Sequence, residues 1–184
     1  MTAGGLSVRD LAVVYRTDDG DVHAVDGASF DVGTGERLGI VGESGSGKTT
    51  TALALIQMLR PPGRVIAGTA RVGEVDLLRL APAAMRRHRL QTVSYIPQGA
   101  MNSLNPVLTI GRQFRNAFAD HDVHLPESAI RGRIGAALAA VELDSNVAAL
   151  YPHELSGGMK QRVCIAIGML LGPCLLYTSP SPRD

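Results

Sequence analysis

A glycine-rich stretch at residues 39–50, GIVGESGSGKTT, has the residue types and spacing of a phosphate-binding loop. Gly42 is followed by four residues and then by Gly47, Lys48 and Thr49. Glycines let the backbone turn so that successive N–H groups point at phosphate oxygens, and the lysine supplies a mobile positive charge. The threonine hydroxyl is a suitable ligand for Mg²⁺. The stretch predicts nucleotide binding, and alone it leaves kinases, GTPases and ATPases as alternatives.

A second stretch, LSGGMKQR at residues 155–162, has the pattern of a helix start that can meet an anion. Ser156 is a suitable N-cap, and Gly157 and Gly158 allow an anion close to free backbone N–H groups. Alone, the stretch is equally typical of a capped surface helix. Beside a phosphate loop, it favours a second nucleotide contact.

The elements before the phosphate loop read as strands. LAVVY at residues 11–15 is rich in β-formers, and Asp19-Gly20 suits a tight hairpin turn. Alternating residues between 22 and 32 predict a half-buried strand. RLGIV at residues 37–41 predicts a short apolar strand that leads into the loop.

The elements after the loop predict an α/β sheet with a helical insertion. A helix with apolar Leu53, Ile56 and Leu59 should end at the prolines after residue 60. Residues 67–78 read as a strand pair, residues 81–90 as a basic helix and residues 92–98 as a strand. Residues 109–171 read as a mostly helical region with a break just before the second stretch.

The amino-acid composition argues against several classes of protein. Hydrophobic residues make up 45% of the 184 residues, which fits a globular chain better than a disordered one. A net charge of +1 and an aromatic content of 4% point away from nucleic acid. The N-terminus has no signal-peptide pattern and the apolar runs are too short to span a bilayer. With only two cysteines and no CxxC, we expect a reduced, cytosolic compartment.

Residues 6–176 resemble the ATP-binding subunits of ABC transporters, in the oligopeptide/dipeptide importer branch. The similarity lies in GESGSGKTTTALALIQML, PQGAMNSLNPVLTIG and YPHELSGGMKQRVCIAIGM. It implies a P-loop NTPase core with an N-terminal antiparallel β subdomain, a helical insertion that carries the signature LSGG, and a sheet incomplete at the C-terminus. We expect a partial ATP-binding domain at 1–176, with its helical subdomain at about 99–165.

The resemblance also implies roles for residues. Tyr15 corresponds to the aromatic residue that stacks on adenine, although an ordinary strand aromatic is an equal alternative. Gln98 corresponds to the glutamine that touches Mg²⁺ and the attacking water, and Thr49 is the other metal ligand. Ser156, Gly157 and Gly158 would contact ATP held by a second subunit. The loop contacts to ATP are Gly42, Glu43, Ser44, Gly45, Ser46, Gly47, Lys48, Thr49 and Thr50.

The family's catalytic carboxylates have no counterpart in this sequence. Aligned on the GP-LL pattern near residue 175, the Mg²⁺-holding aspartate falls at Ser179 and the glutamate that polarises water falls at Pro180. Neither side chain can replace a carboxylate. We therefore expect residues from about 174 or 177 onward not to be native, as in a truncated or frameshifted reading frame, with 177–184 as a tail.

Three weaker features have simpler interpretations. His153 lies next to the signature, but the family's γ-phosphate-sensing histidine lies well beyond it, so we expect a local role. The basic run MRRHR at residues 85–89 is typical of the solvated face of a short helix. Cys164 falls among Val163 and Ile165, where a small buried side chain is expected.

The resemblance implies an ATPase subunit that powers peptide import, with ATP and Mg²⁺ as cofactors. Its partners would be permease subunits, a second ATP-binding subunit and, indirectly, an extracytoplasmic solute-binding protein, with no nucleic acid. It would lie on the cytoplasmic face of the membrane. The alternatives are a soluble ABC-type ATPase of DNA repair or translation, and a nucleotide-binding fragment that does not hydrolyse ATP.

Overall fold

The computed structural model describes residues 5–97, 99 and 102–178, which divide into two units between residues 93 and 94. The first unit contains β1 (Leu6–Thr17), β2 (Gly20–Val32), α1 (Lys48–Leu55), β3 (Gly63–Val72), β4 (Val75–Asp76) and α2 (Pro82–His88). At the boundary and in the second unit lie β5 (Val93–Ile96), α3 (Ile110–Asp120), α4 (Glu127–Ala139), α5 (Gly157–Met169) and β6 (Leu175–Thr178).

The first unit is built on a four-stranded antiparallel sheet with the order β2-β1-β3-β4. Thr17 pairs with Gly20 at the end of the β1–β2 hairpin, so the two loop residues are Asp18 and Asp19. The turn therefore lies one residue earlier than the Asp19-Gly20 pair suggested. Thr17 Oγ1 donates a hydrogen bond to Gly20 O at 2.7 Å, which closes the hairpin.

Strands β1 and β3 cross closely at a bulge. The register between them shifts after Arg9, where Asp10 adopts a positive φ of 49°. Gly68 faces this bulge with a φ of 104°, and a Cβ atom at residue 68 would lie 2.6 Å from Leu11 Cα. Only glycine fits this crossing without displacing the backbone.

The prediction of a strand at residues 37–41 is wrong. The structure assigns this segment to no strand, and its apolar side chains face solvent, with Val41 92% exposed. An apolar run satisfies only the side-chain requirement of a strand, because the backbone also needs a neighbouring strand for its hydrogen bonds. None of the described strands provides that pairing for residues 37–41.

The predicted end of the first helix is also wrong. α1 ends at Leu55, well before the prolines at 61 and 62. Gln57 takes a left-handed φ of 50°, and Met58 N donates to Leu53 O at 2.8 Å, which closes the helix end. A local backbone turn, rather than proline, therefore ends α1.

The second unit has a helical core formed by α3, α4, α5 and the segments between them. Its buried members are Leu104, Ile110, Phe114, Phe118, Ile134, Leu138, Leu143, Val147, Leu155, Val163 and Ala166. Strands β5 and β6 form a two-stranded sheet in which the rings of Tyr95 and Tyr177 lie 5.6 Å apart. Within the described part of the chain, no helix has the length and apolar character needed to cross a membrane.

Candidate nucleotide-binding site

The phosphate loop is shaped by close contacts at its glycines. Gly47 has a φ of 84°, and a Cβ atom there would collide with the carbonyl oxygen of Ala24 on β2. A Cβ atom at Gly42 would lie 2.6 Å from Ser46 Oγ. A side chain at Gly47 is therefore incompatible with the loop, and one at Gly42 would require the Ser46 hydroxyl to move, which agrees with the spacing that identified the loop.

The ammonium group of Lys48 is held by its own loop. Lys48 Nζ donates to Gly42 O at 2.7 Å, to Glu43 O at 2.6 Å and to Ser46 Oγ at 3.0 Å. A positive charge is thus fixed beside a glycine-rich turn that leads directly into the N-terminus of α1. Such an arrangement fits the phosphates of a nucleotide.

Thr51 anchors the last carbonyl of the loop, a role that the sequence reasoning missed. Its backbone N–H and its Oγ1 both donate to Gly47 O, at 2.8 Å and 3.0 Å. The side chain is buried at 7% exposure. The only sequence signal is a threonine four residues after the last loop glycine, a spacing at which a hydroxyl can reach the carbonyl one helical turn back.

Arg89 holds the opposite end of α1. Its Nε donates to Ile56 O and its Nη2 to Gln57 O, both at 2.9 Å. The Gln57 side chain continues the network by donating to Leu77 O at 2.6 Å and to Leu80 O at 3.0 Å. The basic run is therefore only partly a solvated face, because Arg89 closes the helix that begins at the phosphate loop.

Tyr15 and the phosphate loop meet the same strand of the first unit. Tyr15 is half-buried and pairs with Val22 on β2 and with Gly63 on β3. Further along β2, Ala24 and Val25 lie against Gly47. The candidate adenine contact and the loop therefore both adjoin β2, at positions two to three residues apart along that strand.

The signature segment lies in the second unit. Ser156 caps α5, where its Oγ accepts a hydrogen bond from Met159 N at 3.3 Å. Gly157 and Gly158 are exposed in the first helical turn. The rings of Tyr151 and His153 stack at 5.7 Å just before the helix, so the observed contact of His153 is local.

The metal-binding residues are only partly described. Thr49 is exposed in the first turn of α1, directly after the loop. Gln98, Ser179 and Pro180 lie outside the described residues. Within the ranges that the structure describes, no three His, Cys, Asp or Glu side chains form a group that could hold a metal ion.

Burial raises the pKa of a thiol and of a phenol in the second unit. It raises the pKa of the Cys164 thiol on α5 to about 11, while Cys174 is exposed. Burial also raises the pKa of Tyr95, with a further contribution from the charge of Tyr177. Cys164 is therefore a neutral thiol at physiological pH, as expected for a packing residue.

Comparisons with known proteins agree on the family. The sequence profile described as ABC transporter matches residues 25–178. The oligopeptide transport ATP-binding protein OppD of Escherichia coli K12 is 41% identical over 173 residues, which cover 93% of this chain and 51% of that protein. The dipeptide transport ATP-binding protein DppD of Caldanaerobacter subterraneus is 37% identical, with coverages of 93% and 53%. The chain spans about half the length of these curated relatives.

Solved structures agree on the fold. The ATP-binding cassette MJ0796, in a dimeric post-hydrolysis state bound to ADP and Pi, superimposes with a TM-score of 0.81 at 21% identity. The match covers 94% of this chain and 72% of that chain. The α/β interpretation with an N-terminal antiparallel sheet and a helical region is confirmed. By its profile match and by the loop and signature that it carries, the chain belongs to the ABC transporter family.

Proposed function

We propose that this chain is the ATP-binding part of a subunit that powers the import of peptides, or of similar small solutes, through a membrane permease. The geometry of the phosphate loop is the observation that carries the proposal, because it fixes the Lys48 ammonium in a glycine-rich turn that leads directly into the N-terminus of a helix. The named relatives are ATP-binding proteins of oligopeptide and dipeptide transport. No observation favours a soluble ATPase of DNA repair or translation.

Within one chain, each contact has a separate task. The loop N–H groups and Lys48 would bind the β- and γ-phosphates, while the ring of Tyr15 would stack on adenine. Thr49 and Gln98 would be ligands of Mg²⁺, which supplies charge neutralisation at the phosphates when it is bound. Thr51 and Arg89 would not touch the nucleotide but would hold α1 at its two ends.

The signature would act on a second subunit. Ser156, Gly157 and Gly158 are exposed at the start of α5, where backbone N–H groups are available to a phosphate. The fold neighbour MJ0796 is described as dimeric. We expect ATP to shift the chain towards a dimer as protein concentration rises, which analytical ultracentrifugation would measure, and a chain that stays monomeric with saturating ATP at every concentration would contradict the dimer.

Hydrolysis by the chain as written should be slow or absent. Ser179 and Pro180 stand at the positions of the family's two carboxylates, and removal of a positioned base typically slows a reaction by about 10²- to 10⁴-fold. We expect the chain to bind ATP but to release phosphate much more slowly than a complete ABC ATPase does. A phosphate-release assay at saturating ATP tests this, and rapid turnover by the unaltered chain would refute it.

The partners and location follow from the proposed task. The subunit would dock on permease subunits at the cytoplasmic face of the membrane, and an extracytoplasmic binding protein would deliver the solute. Co-purification with a membrane fraction that contains the permease, and its loss in cells without the permease, would support this placement. Equal recovery in the soluble fraction of both strains would argue against it.

Nucleotide binding itself is tested by titrating a fluorescent ATP analogue. Because Lys48 would donate charged hydrogen bonds to phosphate, Lys48→Ala should weaken affinity by about 10- to 150-fold. Arg86→Ala is the control, since it removes an exposed positive charge from α2 in the same unit. Equal effects of the two substitutions would show that overall charge, not the loop, determines binding.

A further inference from the structure

The ring of Tyr15 lies against a residue that has no side chain. Tyr15 on β1 pairs directly with Gly63 at the start of β3. A Cβ atom built on Gly63 would lie 2.7 Å from Tyr15 Cε1 and 2.9 Å from Cζ, far inside van der Waals contact. The outer half of the ring therefore occupies space that a side chain at residue 63 would fill.

The backbone at Gly63 has little freedom to retreat from the ring. Gly63 N donates to Arg60 O at 2.9 Å, and the same Cβ atom would lie 3.0 Å from Arg60 O. Gly63 does not adopt a positive φ, so alanine would be compatible with the backbone conformation. A methyl group at residue 63 would therefore meet the Tyr15 ring most closely, and the contact with Arg60 O would require only a small adjustment.

The position of this ring matters because of its relation to the phosphate loop. On β2, Val22 pairs with Tyr15, while Ala24 and Val25 lie against Gly47 of the loop. Two or three residues along a strand span about 7–10 Å. A nucleotide whose phosphates lie in the loop can thus bring its base to the Tyr15 ring, provided that the ring keeps its orientation.

We propose that Gly63 is a positioning residue that sets the Tyr15 ring for contact with the nucleotide base. This inference rests on the proposed ATP binding and adds to it a residue that touches neither base nor phosphate. The missing side chain at Gly63 determines where the aromatic surface lies. Base affinity and phosphate affinity are therefore separable in this unit.

The test compares ATP with inorganic triphosphate, which has no base, by isothermal titration calorimetry. Loss of base–aromatic stacking in Tyr15→Ala should weaken ATP binding by about 5- to 150-fold. Gly63→Ala should weaken ATP binding in the same direction, by about fivefold or more. The affinity for triphosphate should stay unchanged in both variants.

Two controls separate positioning from a general structural effect. Gly132→Ala in α4 makes the same substitution where a Cβ atom would meet no atom within 4 Å, and should change neither affinity. In a Tyr15→Ala background, Gly63→Ala should have no further effect on ATP affinity, because the ring through which it acts is gone. A structural role would instead give additive losses.

Each outcome decides between the two proposals. If the unaltered chain binds neither ATP nor triphosphate, the proposed function fails. If ATP binds but Gly63→Ala has no effect, lowers both affinities equally, or adds to Tyr15→Ala, only the positioning role is overturned. Should Gly63→Ala fail to fold, circular dichroism of the double variant decides: recovery of the fold locates the clash at the Tyr15 ring, and failure of both variants overturns the inference.

Discussion

Thr51 and Lys48 show how single residues give the phosphate loop its shape. Lys48 Nζ donates hydrogen bonds to three oxygen atoms of its own loop. An incoming phosphate would therefore replace these acceptors rather than meet an unrestrained side chain. Thr51 fixes Gly47 O from the helix side through two hydrogen bonds. The loop is thus held in shape by groups within the first unit, and this preorganisation reduces the entropy lost on binding.

Replacing Thr51 tests this anchoring. Thr51→Val keeps the branched shape but removes the bond from Oγ1 to Gly47 O, and should lower the free energy of unfolding by about 1 kcal/mol. Because the loop loses an anchor, ATP affinity should also fall, by about two- to tenfold. Urea unfolding and nucleotide titration measure the two effects. Thr51→Ser keeps the hydroxyl and should retain the affinity; equal losses in both variants would contradict the explanation.

At the scale of elements, the sequence predicts well what depends on neighbouring residues. The phosphate loop and the cap at Ser156 were found because their spacing alone specifies the backbone turn and the helix start. Arg89 and Gly63 were missed because their roles depend on tertiary geometry, whereas Thr51 was missed although its contact with Gly47 is local. Arg89 contacts carbonyls more than thirty residues away in the chain.

Strand pairing is the other limit of sequence reasoning here. Residues 37–41 have the apolar pattern of a strand, but a strand forms only where a neighbour pairs with its backbone. The end of α1 at Leu55 was similarly hidden, since the left-handed turn at Gln57 leaves little trace in residue type. Both errors arise where backbone hydrogen bonding, rather than side-chain pattern, determines the structure.

Arg89 should be important for the stability of α1. Arg89→Met keeps much of the stem but removes the hydrogen bonds to Ile56 O and Gln57 O and the positive charge at the helix C-terminus, so stability should fall by about 2–3 kcal/mol. Chemical unfolding measures the change. Arg86→Met, on the exposed side of the same basic run, should change stability by less than about 0.5 kcal/mol. Similar losses in the two variants would indicate a general effect of charge.

The crossing of β1 and β3 gives a second test at this scale. Gly68→Ala places a methyl group 2.6 Å from Leu11 Cα at a φ of 104°, and should cost about 2–5 kcal/mol. Gly73→Ala is the matched control, because Gly73 also has a positive φ, of 58°, but open space around it. It should cost only about 1–2 kcal/mol. Thermal melting of Gly73→Ala measures the cost of backbone strain alone. Thermal melting of Gly68→Ala measures backbone strain together with the steric collision.

At the scale of the whole molecule, the two units have their own cores and the predicted site elements are divided between them. The first unit carries Tyr15 and the phosphate loop, and the second carries the signature helix. Apolar side chains remain exposed at Leu38, Ile40 and Val41. Exposed apolar residues that adjoin one another favour association, so the chain should be studied at low concentration.

Stability should depend on pH through Cys164. The folded-state pKa of this thiol is about 11, above the ordinary value of about 8.5 for an unfolded chain. The neutral thiol is therefore favoured in the fold, and its contribution to stability is complete below about pH 8.5 and is lost as the pH rises towards 11. Unfolding midpoints at pH 7 to 10 measure this loss, and Cys164→Ala should reduce the dependence. An unchanged slope in that variant would assign it to other groups.

The two cysteines differ in ionisation and exposure, so their labelling can report when α5 separates from its neighbours. At pH 8, about one in a thousand Cys164 thiols is ionised at a pKa of about 11, whereas Cys174 is exposed immediately before β6. A short pulse of iodoacetamide should therefore label Cys174 first and reach Cys164 mainly when α5 separates from its neighbours. Trypsin leaves both cysteines in one peptide, residues 163–183, so tandem mass spectrometry that locates the label within this peptide would time the opening of the signature helix.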